Sequence, residues 1–165
     1  GMMRGKDSTG SWRVPFNMFS LSHASSHGGD YTEGNAWQYH WSVMHDIQGL
    51  IDLMGGESNF TAKLDSVFSV PNTVKVGTYG RMIHEMTEMM MIDMGQYAHG
   101  NQPVHHMIYL YNYAGEPWKT QKWAREVMRK LYNAGPDGYC GDEDQGQMSA
   151  WYVISAMGLL SLIHI

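Results

Sequence analysis

The chain has 165 residues, a net charge of -5 at pH 7 and only 11 lysines and arginines. This length suits one domain or part of one, and the lack of a basic run excludes the electrostatic footprint of a nucleic-acid-binding protein. The single cysteine, Cys140, excludes an internal disulfide and a cysteine-rich zinc site, and no run of about 18 apolar residues predicts a membrane span.

Residues 1–32 show no sustained periodicity, so we expect an irregular segment of loops or short strands that leads into the first motif. Its beginning lacks the apolar core of a signal peptide. The motif EGNAWQYHW follows and places Glu33 beside Gly, amide and Trp side chains. Partial burial against Trp37 would keep the Glu33 carboxyl group protonated, as a general acid requires. A capping or solvated glutamate is the alternative for this motif alone.

From about residue 40 onward, short helical patterns alternate with Gly-, Asn- and His-rich connections, which predicts an all-α body. The first pattern should end at the Gly55-Gly56 pair, and the second should end before the turn at Pro71. Apolar residues at three- and four-residue intervals mark the two helices: Met44, Ile47, Leu50, Ile51 and Met54, then Phe60, Leu64, Val67 and Phe68.

A third helix is predicted around residues 82–94, with His84 and Glu88 one turn apart on its polar side. The stretch MIYLYNYAG, at 107–115, is apolar enough for a buried helix or strand, and its helical neighbours favour a helix. After Pro117, a helix over 118–132 should carry Trp123, Val127 and Leu131 on one stripe, and a last helix should start near Gln147. The core-facing side of the third helix is expected to carry Met82, Met86, Met89 and Met90.

The motif DEDQGQMSAWY places two carboxylates, Asp142 and Asp144, two residues apart. An extended loop would project both to one side, where they could share the activation of one water. A surface turn is the alternative, because Gly141 and Gly146 flank the acidic residues. Hydroxyl-binding and stacking groups follow immediately and favour a site: Gln147, Ser149 and Trp151.

The segment GQYAHGNQPVHH, at 95–106, concentrates His, Gln and Asn around a Gly and a Pro, which predicts a polar binding loop. Zinc is one alternative, since His105 and His106 are adjacent, but neither forms the i, i+4 pair of a helical zinc site. A hard cation such as calcium is favoured by oxygen ligands, and these are Glu85, Glu88, Asn101 and Gln102.

On these motifs the chain resembles glycoside hydrolase family 92, the calcium-dependent exo-acting α-mannosidases. The resemblance runs from about Tyr31 to Gly158, through EGNAWQY, HDIQGLIDLMGG, GQYAHGNQPVHH, YLYNYAGEPWKTQKWAR and PDGYCGDEDQGQMSAWYV. It implies that residues 33–165 form part of an (α/α)6-barrel catalytic domain. We expect the family's β-sandwich domain to be absent from this chain, and the last residues, LSLIHI, to depart from the family's continuation. A truncated chain that is weakly active or inactive alone is therefore expected.

The same resemblance implies inversion, with Glu33 as general acid, Asp144 as general base and Asp142 as its partner. His84 and Glu85 match the dipeptide that α-1,2-specific members place against the leaving-group sugar. Trp37 and His99 are also expected to contact the substrate, a mannose-containing glycan, and Glu88, Asn101 and Gln102 to hold calcium.

Gln102 departs from the family's HGNEP pattern, and we expect Glu88 to supply the charge that this amide lacks. The parent protein is expected to be secreted or periplasmic. The alternatives are a non-catalytic carbohydrate-binding or structural piece, and a zinc hydrolase.

Overall fold

The protein is described by a computed structural model over residues 1–23 and 28–158. Within these ranges it is rich in helix and has little sheet, and none of its helices has the length and apolarity needed to cross a membrane. The elements in chain order are β1 Ser22–His23, β2 Thr32–Gly34, α1 Ala36–Tyr39, α2 Ile47–Leu53, α3 Glu57–Val67, α4 His84–Ile92, α5 Pro117–Leu131 and α6 Gln147–Ala156, with 3-10 turns at Gly77–Tyr79, Gln102–Val104 and Met107–Asn112.

The predicted helices are confirmed, with small shifts at their ends. Helix α2 begins at Ile47 rather than at Met44 because the Asp46 side chain accepts a hydrogen bond from the Gly49 amide and caps the helix. The apolar stretch beginning at Met107 is a buried 3-10 helix. The predicted apolar ending at 159–165 lies outside the described residues.

The first segment has little regular secondary structure over its described residues. It holds β1 and isolated bridges, including Lys6 with Trp12 and Ser20 with Lys75. Strands β1 and β2 form a two-stranded antiparallel sheet, a minor addition to the predicted all-α body. That the helices form part of an (α/α)6 barrel remains a prediction.

The core lies between α2, α3, α5 and the 3-10 helix at Met107–Asn112. Phe60 and Leu64 on α3 are fully buried, and the Phe60 ring meets the edge of Trp41 at 5.4 Å between centroids. The Thr120 hydroxyl on α5 donates to the Ile108 carbonyl at 2.7 Å and ties α5 to the 3-10 helix. These apolar contacts provide the platform on which the polar loops are held.

The predicted apolar face of α4 is only half correct. Met86 and Met89 are buried, whereas Met82 is 46% exposed and Met90 is 37% exposed. Met82 precedes the helix, which begins at His84, so it does not share the helical periodicity that placed it on the buried side. Met90 directly follows Met89 and therefore points about 100° away around the helix.

Candidate active site

Glu33 lies at a bulge in β2. Ser22 pairs with Gly34 and His23 pairs with Thr32, so Glu33 is the extra residue between two paired positions. Its φ of 53° is in the left-handed region, which a non-glycine residue adopts only at a cost. A bulge of this kind redirects a side chain away from the sheet. The side chain is exposed, so the expected burial of Glu33 against Trp37 is wrong.

Helix α1 holds the chain just after Glu33. The Asn35 side chain accepts from the Trp37 amide at 2.9 Å, and the Gln38 side chain accepts from the Asn35 amide at 2.7 Å, which forms a capping box. The side-chain amide nitrogen of Asn35, Nδ2, donates to the side-chain oxygen of the buried Gln96 at 2.8 Å. These bonds secure the residues that follow the bulge.

Trp37 is a core residue and not a platform for sugar stacking. It is 5% exposed, with the Lys63 amine 4.1 Å from its ring centroid and the Phe19 ring at 6.1 Å. A sugar stacks on an open aromatic face, and Trp37 offers none. The predicted substrate contact of Trp37 is therefore wrong.

The first turn of α4 carries two residues of the predicted substrate site, the exposed His84 and the half-buried Glu85. The His84 ring contacts the carboxylates of Glu88 at 3.0 Å and Glu85 at 3.3 Å. The hydrogen bond that His84 donates to the Glu88 carboxylate raises the pKa of His84, and the charges of Glu85, Glu88 and Asp142 raise it further. Burial raises the pKa of the Glu88 carboxyl group, and His84 opposes that shift.

His99 is wholly buried, so the predicted contact between His99 and the substrate is also wrong. Its ring nitrogens are hydrogen-bonded to the hydroxyls of Tyr97 at 2.9 Å and Tyr132 at 2.8 Å. The rings of His105 and Trp151 pack against it at 4.5 Å each. Burial, and then the neighbouring His105, hold the pKa of His99 well below its usual range.

His105 and His106 do not form a zinc site. Nε2 of His105 is bonded to the His99 carbonyl at 2.9 Å, and Nε2 of His106 to the Trp41 carbonyl at 2.9 Å. Among residues 1–23 and 28–158, no three His, Cys, Asp or Glu side chains are grouped so that they could hold a metal. These two histidines connect loops within the core.

Residues 142–146, which we call the acidic loop, form a turn and not an extended segment. Asp144, Gln145 and Gly146 have φ values of 43°, 60° and 90°, three left-handed residues in succession. Asp142 and Asp144 are both exposed, whereas Glu143 between them is half-buried. The expected extended projection of the two aspartates is therefore wrong, although both remain accessible to solvent.

The acidic loop packs directly against the segment at 99–106. A Cβ built on Gly141 would lie 2.4 Å from both Cα and O of Gly100, so the two backbones touch where neither residue has a side chain. The Gln102 side-chain amide donates to the Asp142 carbonyl at 2.8 Å. Two glycines and one amide thus bring the acidic loop against this segment.

The same segment also holds the bulge of β2. The Asn101 side-chain amide donates to the Glu33 carbonyl at 2.9 Å. Asn101 and Gln102 are adjacent in the chain, so the backbones of Glu33 and Asp142, remote in sequence, are tied to one dipeptide. Glu33, Asp142, Asn101 and Gln102 are therefore neighbours in the folded chain.

The predicted cation ligands satisfy part of what calcium requires. Glu88 Oε2 is buried and has no hydrogen-bond partner among the described residues, as a carboxylate oxygen awaiting a cation would be. Asn101 and Gln102 use their amide nitrogens on carbonyls, which leaves their side-chain oxygens as acceptors. One carboxylate oxygen and two amide oxygens are compatible with a hard cation.

Two residues near the site carry no sequence signal. Burial raises the pKa of Tyr79, a hydrogen bond with the Glu33 backbone opposes this shift, and the charges of Glu33 and Glu85 raise the pKa further, so this tyrosine lies near both the bulge and α4. Glu143 is the second, because its position between two aspartates gives no indication that its carboxylate points toward a helix. Both positions depend on contacts between segments that are far apart in sequence.

Comparison with known proteins identifies the family of this chain. Residues 1–163 match the model of the glycosyl hydrolase family 92 catalytic domain. The structure of the family GH92 inverting mannosidase BT2199 of Bacteroides thetaiotaomicron is similar, with 57% identity, a TM-score of 0.71 and coverage of 95% of this chain and 20% of that one. The family GH92 α-mannosidase BT3965 of the same species has 42% identity and a TM-score of 0.71, over 93% of this chain and 17% of that one.

A curated relative, an uncharacterized secreted glycosidase of Arthroderma benhamiae, is 27% identical over 143 residues, which are 87% of this chain and 16% of that protein. The chain thus spans about a fifth or less of the length of these relatives.

Proposed function

Because this chain belongs to glycosyl hydrolase family 92, we propose that it contributes the acid and base of an inverting exo-α-mannosidase. The substrate is a glycan that ends in α-1,2-linked mannose. The observation that carries the proposal is the attachment of the Glu33 and Asp142 backbones to the adjacent residues Asn101 and Gln102. The left-handed backbone at Glu33 and Asp144 supports it, because such conformations gather at functional sites.

In this mechanism Glu33 protonates the departing glycosidic oxygen. Asp144, assisted by Asp142, removes a proton from a water that attacks the anomeric carbon from the opposite face of the sugar. The new bond then has the opposite configuration, and the first product is β-mannose. Glu33 and Asp144 are both exposed, so a glycan end and a water can reach them.

His84 and Glu85 are suited to bind the leaving-group sugar. The His84 ring is exposed, and its two carboxylate neighbours favour the protonated form, which donates hydrogen bonds to hydroxyls. Glu85 lies beside it, with Oε1 at 3.3 Å from Nε2 of the His84 ring. We infer the α-1,2 preference from this pair.

Glu88, Asn101 and Gln102 would hold calcium. When bound, calcium would contact the mannose hydroxyls and favour distortion of the ring toward the oxocarbenium-like transition state. Glu88 would supply the negative charge at a site where Gln102 offers only an amide. Calcium titration of Glu88→Ala and Gln102→Glu tests this, with weaker affinity expected in the first and tighter affinity in the second. Unchanged affinity in both would remove these residues from the ligand set.

The intact protein is expected to complete the cleft with a β-sandwich domain, and the helices described here to form part of an (α/α)6 barrel. We further propose a secreted or periplasmic location, supported by the secreted glycosidase among the relatives.

The test uses the full-length protein and an α-1,2-mannobioside. Glu33→Gln and Asp144→Asn should each lower kcat by about 10²–10⁴-fold, the usual contribution of a general acid or base. Glu57→Gln, at the exposed start of α3, is the matched control and should keep full activity. Activity should disappear with EDTA and return with calcium.

Proton NMR during early turnover identifies the first product. β-Mannose is expected, and α-mannose would contradict Asp144 as the base that activates water. Ligand affinity in Glu33→Gln separates an enzyme from a non-catalytic binder, because only an enzyme loses turnover while it retains the sugar.

A further inference from the structure

Glu143 lies between the two predicted catalytic aspartates and yet faces the other way. Its carboxylate accepts hydrogen bonds from the Ser149 amide, at 3.1 Å and 3.4 Å to its two oxygens, and also from the Ser149 hydroxyl. It is half-buried, whereas Asp142 and Asp144 are exposed. The three neighbouring carboxylates therefore have different environments.

The start of α6 shows what this contact does. The first amides of a helix have no partner within the helix. Here the Gln147 amide donates to the Asp144 carbonyl at 3.2 Å, the Met148 amide donates to the Glu143 carbonyl at 3.3 Å, and the Ser149 amide donates to the Glu143 carboxylate. The acidic loop thus satisfies all three amides, and the Glu143 charge also complements the positive end of the helix dipole.

The acidic loop needs such support because its backbone is strained. Asp144 and Gln145 both have left-handed φ values, which a non-glycine residue adopts only at a cost. A strained conformation persists only when its surroundings over-determine it. The carbonyls of Glu143 and Asp144 and the Glu143 carboxylate accept hydrogen bonds from the amides of residues 147–149, and these bonds close the turn across the strained residues.

Helix α6 is itself held by the interior. The Gln147 side-chain amide is bonded to Nδ1 of His105 at 3.3 Å, and the Tyr132 hydroxyl donates to the Met148 carbonyl at 3.1 Å. The Trp151 indole donates to the His105 carbonyl at 3.3 Å. Because α6 is fixed to the core, its contact with Glu143 also fixes the acidic loop relative to the core.

We propose that Glu143 is a positioning residue that sets Asp142 and Asp144 for activation of the water, by fastening their loop to the first turn of α6. The inference rests on the proposed function, because it assigns Asp144 as the base. Glu143 takes no part in proton transfer, since its carboxylate is occupied by Ser149 and points into the helix start.

The experiment compares Glu143→Ala and Glu143→Gln in the full-length protein. Glu143→Ala should lower kcat by about 10²-fold, the effect of a misplacement of about 1 Å, and leave KM within about twofold. Glu143→Gln should recover much of the lost kcat, because its amide oxygen still accepts from the Ser149 amide. Glu57→Ala, which also removes a glutamate from the first turn of a helix, should leave kcat unchanged.

Hydrogen exchange tests the contact independently of activity. Glu143→Ala should accelerate exchange of the Gln147, Met148 and Ser149 amides, while Phe60 and Leu64 in α3 keep their protection. Wild-type exchange at the start of α6 in Glu143→Ala would overturn the proposal. Equal inactivity of Glu143→Gln and Asp144→Asn would also overturn it, since Glu143 would then be the base.

Failure of the proposed function has a different signature. A wild-type protein that releases no mannose refutes the mannosidase assignment and, with it, the catalytic role of Glu143. A wild-type protein that is active, together with a fully active Glu143→Ala variant, refutes the positioning role alone.

Discussion

His99 lies inside the core and His84 lies on the exposed first turn of α4, and this difference decides what each imidazole can do. His99 is enclosed by Tyr97, Tyr132 and Trp151, and burial lowers its pKa. His84 has two carboxylates beside it, and its pKa is raised. One histidine is kept neutral as a structural connector, and the other is favoured in its charged form at the solvent boundary.

The hydrogen bonds of the buried histidines, His99 and His105, define the tautomer of each ring. The Tyr132 hydroxyl donates to the Met148 carbonyl, so its oxygen accepts from Nε2–H of His99, and Nδ1 of His99 accepts from Tyr97. His105 likewise donates through Nε2 to the His99 carbonyl. Each ring is used as one donor and one acceptor, which only the neutral form provides. The buried network therefore makes the core rigid, and the exposed residues remain accessible to a ligand.

The largest expected effect on stability is that of Trp151→Ala, which removes a large side chain from the buried cluster around His99. Trp151 is 1% exposed and packs on His99 and parallel to Tyr132, so its removal leaves a cavity. The free energy of unfolding should fall by about 3–5 kcal/mol in urea denaturation. Val153→Ala, at a position 53% exposed on the same helix, is the control and should change it little. Equal effects in the two variants would contradict the difference between interior and surface.

Acid should lower the stability of the fold through the buried histidines and not through the exposed His84. The pKa of His105 is lowered to about 4, mainly by burial, against about 6.5 in an unfolded chain. Between these values the unfolded state binds the extra proton, so the free energy of unfolding should fall as pH decreases from about 6.5 to about 4. Urea titrations at several pH values measure this slope. His105→Gln should flatten it, whereas His84→Gln should not.

Gly141→Ala tests the junction between the two regions. The added methyl would lie 2.4 Å from Gly100, so the backbones must separate, at a cost of about 1–3 kcal/mol. Activity should fall together with stability, because the acidic loop moves away from Asn101 and Gln102. Gly100→Ala should act in the same direction, since its methyl would approach the Cys140 carbonyl at 2.7 Å. Thermal melts and mannoside assays of both variants measure the effect.

The smallest effect on stability is expected for His84→Gln. The side chain is 59% exposed and its ion pairs are screened by water, so the free energy of unfolding should change by less than about 0.5 kcal/mol. KM for an α-1,2-mannoside should rise if His84 grips the leaving sugar. A large loss of stability would show that the exposed side also supports the fold.

Much of the helical framework was predictable. Phe60, Leu64 and Val67 recur at three- and four-residue intervals, and α3 buries all three. Local periodicity is sufficient there because one face of a helix is set by neighbours within a few residues. The same reasoning was wrong for Met82, which lies before the start of its helix, and for Met90, which lies on another side of it.

The candidate site was predictable only in its residue types. The motifs contain Glu33, Asp142, Asn101 and Gln102, and the structure brings these residues together through two side-chain amides. The same motifs contain Trp37 and His99, which lie in the core. No local pattern distinguishes an aromatic residue that stacks on a ligand from one that packs on Lys63.

The amino-acid sequence by itself determined the helices, the order of the motifs and the family to which they belong, because these depend on local spacing and on the identity of residues. Tertiary structure alone decided which polar residues reach solvent, where the backbone adopts left-handed turns and which carboxylate faces the helix start. Those features depend on burial and on contacts between segments far apart in the chain, and the free energy of each contact exists only when both partners are in place.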